Sequence, residues 1–103
     1  MQASAIRRVR GRVAVLKALA HPVRVQLIEQ LSRGERCVCE LHEIAGGDFS
    51  TVSKHLSQLR QAGLLEMEKR GLKVYYHLRN RCVLRLLACA DEAAKTAPKE
   101  VHR

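Results

Sequence analysis

Two cysteines, Cys37 and Cys39, flank a single valine in the run Arg36-Cys37-Val38-Cys39-Glu40-Leu41-His42, and no other side chains in this sequence are better suited to chemistry. Thiolates are soft ligands for soft ions and metalloids, while imidazole and carboxylate shift the preference toward harder metals. Within a regular helix, side chains two residues apart do not face each other, whereas in an extended or uncoiled stretch they fall on one side. Chelation by the pair is therefore expected to distort the start of any helix that begins here. A lone cysteine reads first as a small apolar core residue, but a pair beside Glu40 at a helix start reads as a ligand pair. Cys82 and Cys89 stand seven residues apart on what reads as one helix, a rise of ~10.5 Å, so they cannot share one ion while that helix is intact. They read as interface packing with at most an auxiliary ligand role. Among the histidines only His42, close after Cys39, is an auxiliary ligand candidate.

A second constellation is polar and basic. Ser50, Thr51, Ser53, Lys54 and Gln58 are small or hydrogen-bonding residues around the exposed side of one amphipathic stretch, and Lys69, Arg70 and Lys73 surround a glycine turn. Hydroxyls and amides can read base edges or hold phosphates, and lysine and arginine grip the phosphate backbone. His55 and His77 read as surface or DNA-facing residues. No acid–base pair or activated nucleophile stands out, so the chain does not read as an enzyme.

The elements that must position these groups follow from periodicity. Ile6, Val9, Val13, Leu16 and Ala20 give a first amphipathic helix with Arg7, Arg8, Arg10 and Arg12 on its polar side. Pro22 suits the first turn of a second helix, whose stripe of Val23, Leu27 and Leu31 ends near Gly34. A short third helix spans about Cys39 to Ala45. Gly46-Gly47 turns the chain, and Asp48 is positioned to cap a fourth helix that runs to about Ala62 and stops at Gly63. On it Val52, Leu56 and Leu59 face inward, which leaves Ser50, Lys54, Gln58 and Gln61 outside. From Leu65 the period becomes two: Leu65 and Met67 alternate with Glu66 and Glu68, and Val74, Tyr76 and Leu78 with Lys73, Tyr75 and His77, around a basic hairpin tip. A fifth helix from about Asn80 to Thr96 carries a seam of Cys82, Leu86, Cys89 and Ala93, with Val83, Leu87 and Ala90 beside it. The fold class is thus mainly α with a small β-hairpin: one domain over 1–97 and a flexible tail over 98–103.

Composition bounds the partners. The 103 residues carry 19 Lys and Arg against 10 Asp and Glu, a formal charge of +9, which favours polyanions. With 47% apolar residues the chain has the means to fold rather than remain a basic tail, although a single small core invites completion by a second copy. Lys17 breaks the apolar run from Val13 to Ala20, which spoils a signal-peptide core, and no run reaches the ~20 residues of a bilayer span. The acid-free, Arg-rich stretch before Glu29 would suit an organelle transit peptide, but its removal would leave too little chain for a stable domain. A cytoplasmic location with free thiols is expected, because Cys37 and Cys39 are too close for an ordinary disulfide framework.

The run ALAHPVRVQLIEQLSRGERCVCELHEIAGGDFSTVSKHLSQLRQAGLLEMEKRGLKVYYHL, Ala18 to Leu78, resembles the ArsR/SmtB family of metalloregulatory repressors. The most specific pieces are ALAHPVR, CVCEL, STVSKHLSQLRQAGLL and RGLKVYYHL. The resemblance implies a winged helix-turn-helix of five helices plus wing, a homodimer through the first and fifth helices, repression of a detoxification or efflux operon at an imperfect inverted repeat of double-stranded DNA, and release when inducer binds. It also implies the inducer: CVCEL is similar to the arsenic-sensing branch, so As(III) or Sb(III) at Cys37 and Cys39 leads, with Cd(II), Pb(II) or Zn(II) as alternatives. Arsenic-sensing relatives place a third Cys where this chain has His42, which leaves the third ligand open between hydroxide, a fifth-helix Cys and His42. The fifth-helix zinc pattern of Asp, His, His and Glu is replaced by Asn80, Cys82, Ala93 and Thr96, and no Cys precedes Cys37 as it does in cadmium- and lead-sensing relatives. A thiol redox or persulfide sensor on the same scaffold is the alternative in which the two sulfurs bond to each other.

Overall fold

The computed structural model describes residues 2–98, so nearly all of the expected 98–103 tail lies outside the described residues. Five helices and three strands follow in the order α1 (Ala3–Leu19), α2 (Pro22–Leu31), β1 (Arg36–Cys37), α3 (Val38–Ala45), α4 (Phe49–Gln61), β2 (Leu65–Arg70), β3 (Lys73–Leu78) and α5 (Val83–Thr96). The expected helices are all present, and the chemistry that sets their ends is local. His21 caps α2 by accepting the Val23 N–H on its Nδ1 at 3.1 Å, with Pro22 in the first turn. Gly63, at φ +85°, ends α4 where only glycine is at ease.

One expectation is extended and one is corrected. The expected β2–β3 hairpin is present and gains a third antiparallel strand, in the order β1-β3-β2, because Arg36 and Cys37 pair with Tyr76 and Tyr75 of β3. A two-residue strand has no period to read, so its existence is decided by the partner strand alone. Helix α5 starts at Val83 instead of Asn80, since residues 79–81 are held elsewhere: Arg79 N–H donates to Leu64 O at 2.9 Å, and the Arg81 guanidinium to Ser32 O at 3.0 Å.

The core lies where α2, α3, α4 and the base of the sheet meet. Leu27, Ile28, Leu31, Leu41, Leu56, Leu59 and Leu65 are fully buried there, and Tyr76, Leu78 and Val83 close its edge. The sheet outruns this core: Leu65 is 1% exposed, but Met67, next in the same apolar alternation, is 42% exposed. Helix α1 buries only Ala18 and Leu19. Its Val9, Val13 and Leu16, with Leu86 of α5, remain exposed. The radius of gyration is 15.3 Å, against roughly 13 Å for a compact chain of this length, because α1 and α5 extend away from the core.

Candidate functional site

Helices α3 and α4 are joined by Gly46-Gly47-Asp48, and Val52, Leu56 and Leu59 lock α4 onto the core. That packing turns Ser50, Thr51, Lys54, Gln58 and Gln61 outward as expected, with Ser53 half-buried. The first turn of α4 is organised by Asp48. Its carboxylate accepts the hydroxyls of Ser50 at 2.6 Å and Thr51 at 3.3 Å, and these bonds, Ser50 first, hold the Asp48 carboxyl below the usual range. Lys54 has no carboxylate partner among the described residues.

The β2–β3 hairpin has Gly71 and Leu72 at its tip, with Leu72 fully exposed. Lys69 and Lys73 are exposed and have no ion pair among the described residues. Arg70 differs from both. Its guanidinium embraces the Glu35 carboxylate through both Nη atoms, donates to Glu68 Oε1 at 3.0 Å, and lies 4.5 Å over the Tyr75 ring. Hydrogen bonds from Arg70 lower the pKa of Glu35 and Glu68, and the two carboxylates, Glu68 first, raise that of Arg70. Arg70 is thus ion-paired within the protein while its side chain stays 45% exposed.

The thiol pair sits where β1 becomes α3. Cys37 occupies the N-cap with extended backbone, φ −75° and ψ 157°, while Cys39 lies in the first turn of α3. The step from extended to helical backbone brings the two sulfurs into bonding contact as a disulfide, with Cα atoms 5.4 Å apart. One expectation changes here. The pair is disulfide-bonded here where free thiols were expected, and the two sulfurs meet with α3 formed from Val38, because Cys37 stands outside the helix. The cap is completed by Glu40, which accepts the Cys37 N–H at 3.1 Å and lies 3.5 Å from Arg36. Cys37 is buried and Cys39 exposed, so a reagent reaches the pair from the Cys39 side.

The auxiliary candidates are not brought to this pair. His42 bonds Gly47 O through Nε2 at 3.0 Å and packs on Phe49, its ring centroid 5.2 Å away. Cys82, at the N-cap of α5, and Cys89, within it, are both exposed. Among the described residues no three His, Cys, Asp or Glu side chains converge as a metal site.

Comparison with known proteins places this geometry in a family. Residues 21–67, from the cap of α2 into β2, match the model of the bacterial regulatory proteins of the arsR family. The regulator KmtR of Mycobacterium tuberculosis is 37% identical over 91 residues, which are 88% of this chain and 70% of that protein. The chain belongs to the ArsR family of bacterial regulatory proteins. Within the ArsR family, the arsenic resistance regulator ArsR1 of Pseudomonas putida is 42% identical over 65 residues, 62% of this chain and 51% of that protein. The homodimeric winged helix-turn-helix DNA-binding domain of Mb0332 from Mycobacterium bovis superimposes with a TM-score of 0.82 at 28% identity, covering 100% of this chain and 95% of that one. The chain spans about half the length of most of the curated relatives it matches. On this ArsR-family scaffold α3 and α4 are the helix-turn-helix and β2–β3 is the wing.

Sequence reasoning missed one cluster. His55, expected at the surface or facing DNA, is partly buried with its ring centroid 4.3 Å from that of His21 and its Nδ1 accepting Arg24 Nε at 2.9 Å. Arg24 also donates to Ala18 O, so the start of α2, the end of α1 and the middle of α4 are tied together. Burial first, then the neighbouring His21 and Arg24, lowers the His55 pKa. No local pattern gives such a triple, because its members come from two helices 31 residues apart.

Proposed function

We propose that this chain is a transcriptional repressor that binds operator DNA as a homodimer and leaves it when a thiophilic inducer, As(III) or Sb(III), engages Cys37 and Cys39. The observation that carries the reading is the convergence of two sulfurs at the first turn of the helix-turn-helix itself. A soft metalloid suits two thiolates, the form the pair takes once its disulfide is reduced. Hydroxide completes the donor set, since His42 is committed to Gly47 O and neither Cys82 nor Cys89 is grouped with the pair. Cd(II), Pb(II) and Zn(II) are the alternatives if a third protein ligand is recruited.

Ser50, Thr51, Ser53, Lys54 and Gln58 read the major groove, and Lys69 and Lys73 grip the flanking backbone. The exposed apolar faces of α1 and α5, with a cleft lined by Arg12, Val15, Leu16 and Leu86, support a dimer through these helices. Two-fold symmetry then sets two groove helices about one DNA turn, ~34 Å, apart on an imperfect inverted repeat. Among the described residues no helix is long and apolar enough to cross a membrane.

A second reading is favoured by the sulfur contact. Oxidation of Cys37 and Cys39 to the disulfide by a peroxide transfers two electrons and two protons to the oxidant, yields water, and replaces metal binding as the releasing event. One experiment separates the readings. Operator release is titrated with arsenite, antimonite, cadmium and hydrogen peroxide in the wild type, in each single Cys→Ser variant and in His42→Ala. Release by arsenite that requires both Cys37 and Cys39 supports the metalloid; release by peroxide alone supports the redox switch; release surviving in Cys37→Ser and Cys39→Ser refutes both.

A further inference from the structure

Cys37 stands outside α3 as its N-cap, so its backbone belongs to the sheet rather than to the helix. A connection to the wing is built into the sheet. Cys37 pairs with Tyr75 of β3, and Tyr75 pairs with Glu68 of β2, so a single cross-strand row runs Cys37–Tyr75–Glu68. Residues directly opposite one another in antiparallel strands share a face. On that face Arg70 covers the Tyr75 ring and binds both Glu68 and Glu35, and Glu35 precedes the strand that carries Cys37.

We propose that Arg70 and Glu35 form a clamp that couples the thiol pair to the wing: the wing is the element moved when Cys37 and Cys39 change state, and Arg70 is a positioning residue. The proposal rests on the thiol pair being the inducer site. Three observations carry it together. The backbone of Cys37 is paired into the wing strand. The residue two positions before Cys37 is tied to the last residue of β2 by a two-pronged ion pair across 35 residues of sequence. Lys69 and Lys73, the exposed lysines of the wing, lie directly beside Arg70, with Lys73 opposite it in the ladder. A shift of β1 is thereby passed to the two lysines by backbone pairing and by a side-chain clamp at once. Paired guanidinium and carboxylate planes have a fixed fork geometry, which suits transmission of a displacement. Surface ion pairs of this kind contribute modestly to stability, so the clamp can be broken without unfolding the domain.

The test uses protein whose Cys37–Cys39 disulfide has first been opened by a phosphine reductant, and phenylarsine oxide, which bridges two thiols through one arsenic with loss of water and needs no third ligand. In the wild type it should add one arsenic per protomer by mass spectrometry, lower operator affinity, and change amide hydrogen exchange between Glu66 and His77. The double variant Glu35→Gln, Arg70→Gln keeps the formal charge, because one cation and one anion are removed together. It should take up the arsenical equally well, yet its loss of affinity on uptake should be at least threefold smaller, and wing exchange should no longer respond. The swapped variant Glu35→Arg, Arg70→Glu restores the pair in reverse and should recover the wild-type response. Uptake with an undiminished loss of affinity in the Gln/Gln variant overturns the clamp, as does a swapped variant no better than Gln/Gln. Uptake in the wild type without loss of affinity instead refutes the inducer site on which the clamp rests. If the Gln/Gln variant does not fold, the swapped variant and the wild-type exchange response still decide: no change between Glu66 and His77 overturns the proposal.

Discussion

The wing offers a quantitative contrast between two neighbouring cations. Lys69 is exposed with no carboxylate partner among the described residues, whereas Arg70 is shared between Glu35 and Glu68. In a dimer, Lys69→Ala removes two cations from DNA. Each phosphate that is no longer neutralised lowers the slope of log affinity against log salt by about 0.9, so the slope should fall by about 1.8, and the wild type should lose ~12-fold more affinity than the variant between ~50 and ~200 mM salt. Arg70→Gln removes a charge whose counterions are already protein carboxylates, so its slope should change by less than about 0.5. Fluorescence anisotropy of a labelled operator, titrated at four or five salt concentrations, measures both. Equal slope changes for the two variants would refute the division, because Arg70 would then be gripping phosphate as Lys69 does.

Other outcomes follow from the core, the dimer face and the histidines. Leu56→Ala opens a cavity at a fully buried position on α4 and should cost about 2–5 kcal/mol, lowering the thermal midpoint by roughly 10 °C or more; a loss under about 1 kcal/mol in chemical denaturation would contradict the assigned packing. Leu16→Glu should convert the dimer to monomer in analytical ultracentrifugation and abolish operator binding, and a dimer that survives would remove α1 from the interface. His55 has a folded pKa below its ordinary value of 6.5, so the unfolded chain takes up its proton first. Stability from this group is complete above pH 6.5 and is lost as pH falls below it toward the folded pKa. The thermal midpoint should therefore drop between pH 7 and 5.5 in the wild type and drop less in His55→Gln; parallel curves would show that burial beside His21 and Arg24 has no such effect.

What the sequence disclosed and what it withheld divide along the range of the interactions. The α4 stripe of Val52, Leu56 and Leu59, the Asp48 start, the Gly63 stop and the two long strands are set by neighbours within a few residues, and each was legible. Strand β1 was not, because Arg36-Cys37 is extended only by pairing with Tyr76 and Tyr75, far along the chain. The same reason hid the ion pair between Arg70 and Glu35, which stand 35 residues apart in sequence. The closeness of Cys37 and Cys39 in sequence does not reveal that Cys37 stands outside α3 as its N-cap, where the two sulfurs meet with the helix formed. Lone acidic residues such as Glu35 in a basic chain are a usable signal, since each stands against an overall charge of +9.

The most direct test of the central claim is the operator affinity of the reduced protein with and without arsenite, in the wild type and in Cys37→Ser, at fixed salt and pH. Arsenite should weaken the wild type by tenfold or more and leave Cys37→Ser bound within about twofold, a coupling of at least ~1.4 kcal/mol assigned to one thiol pair. Equal release of both proteins by arsenite, or release of neither, would contradict it.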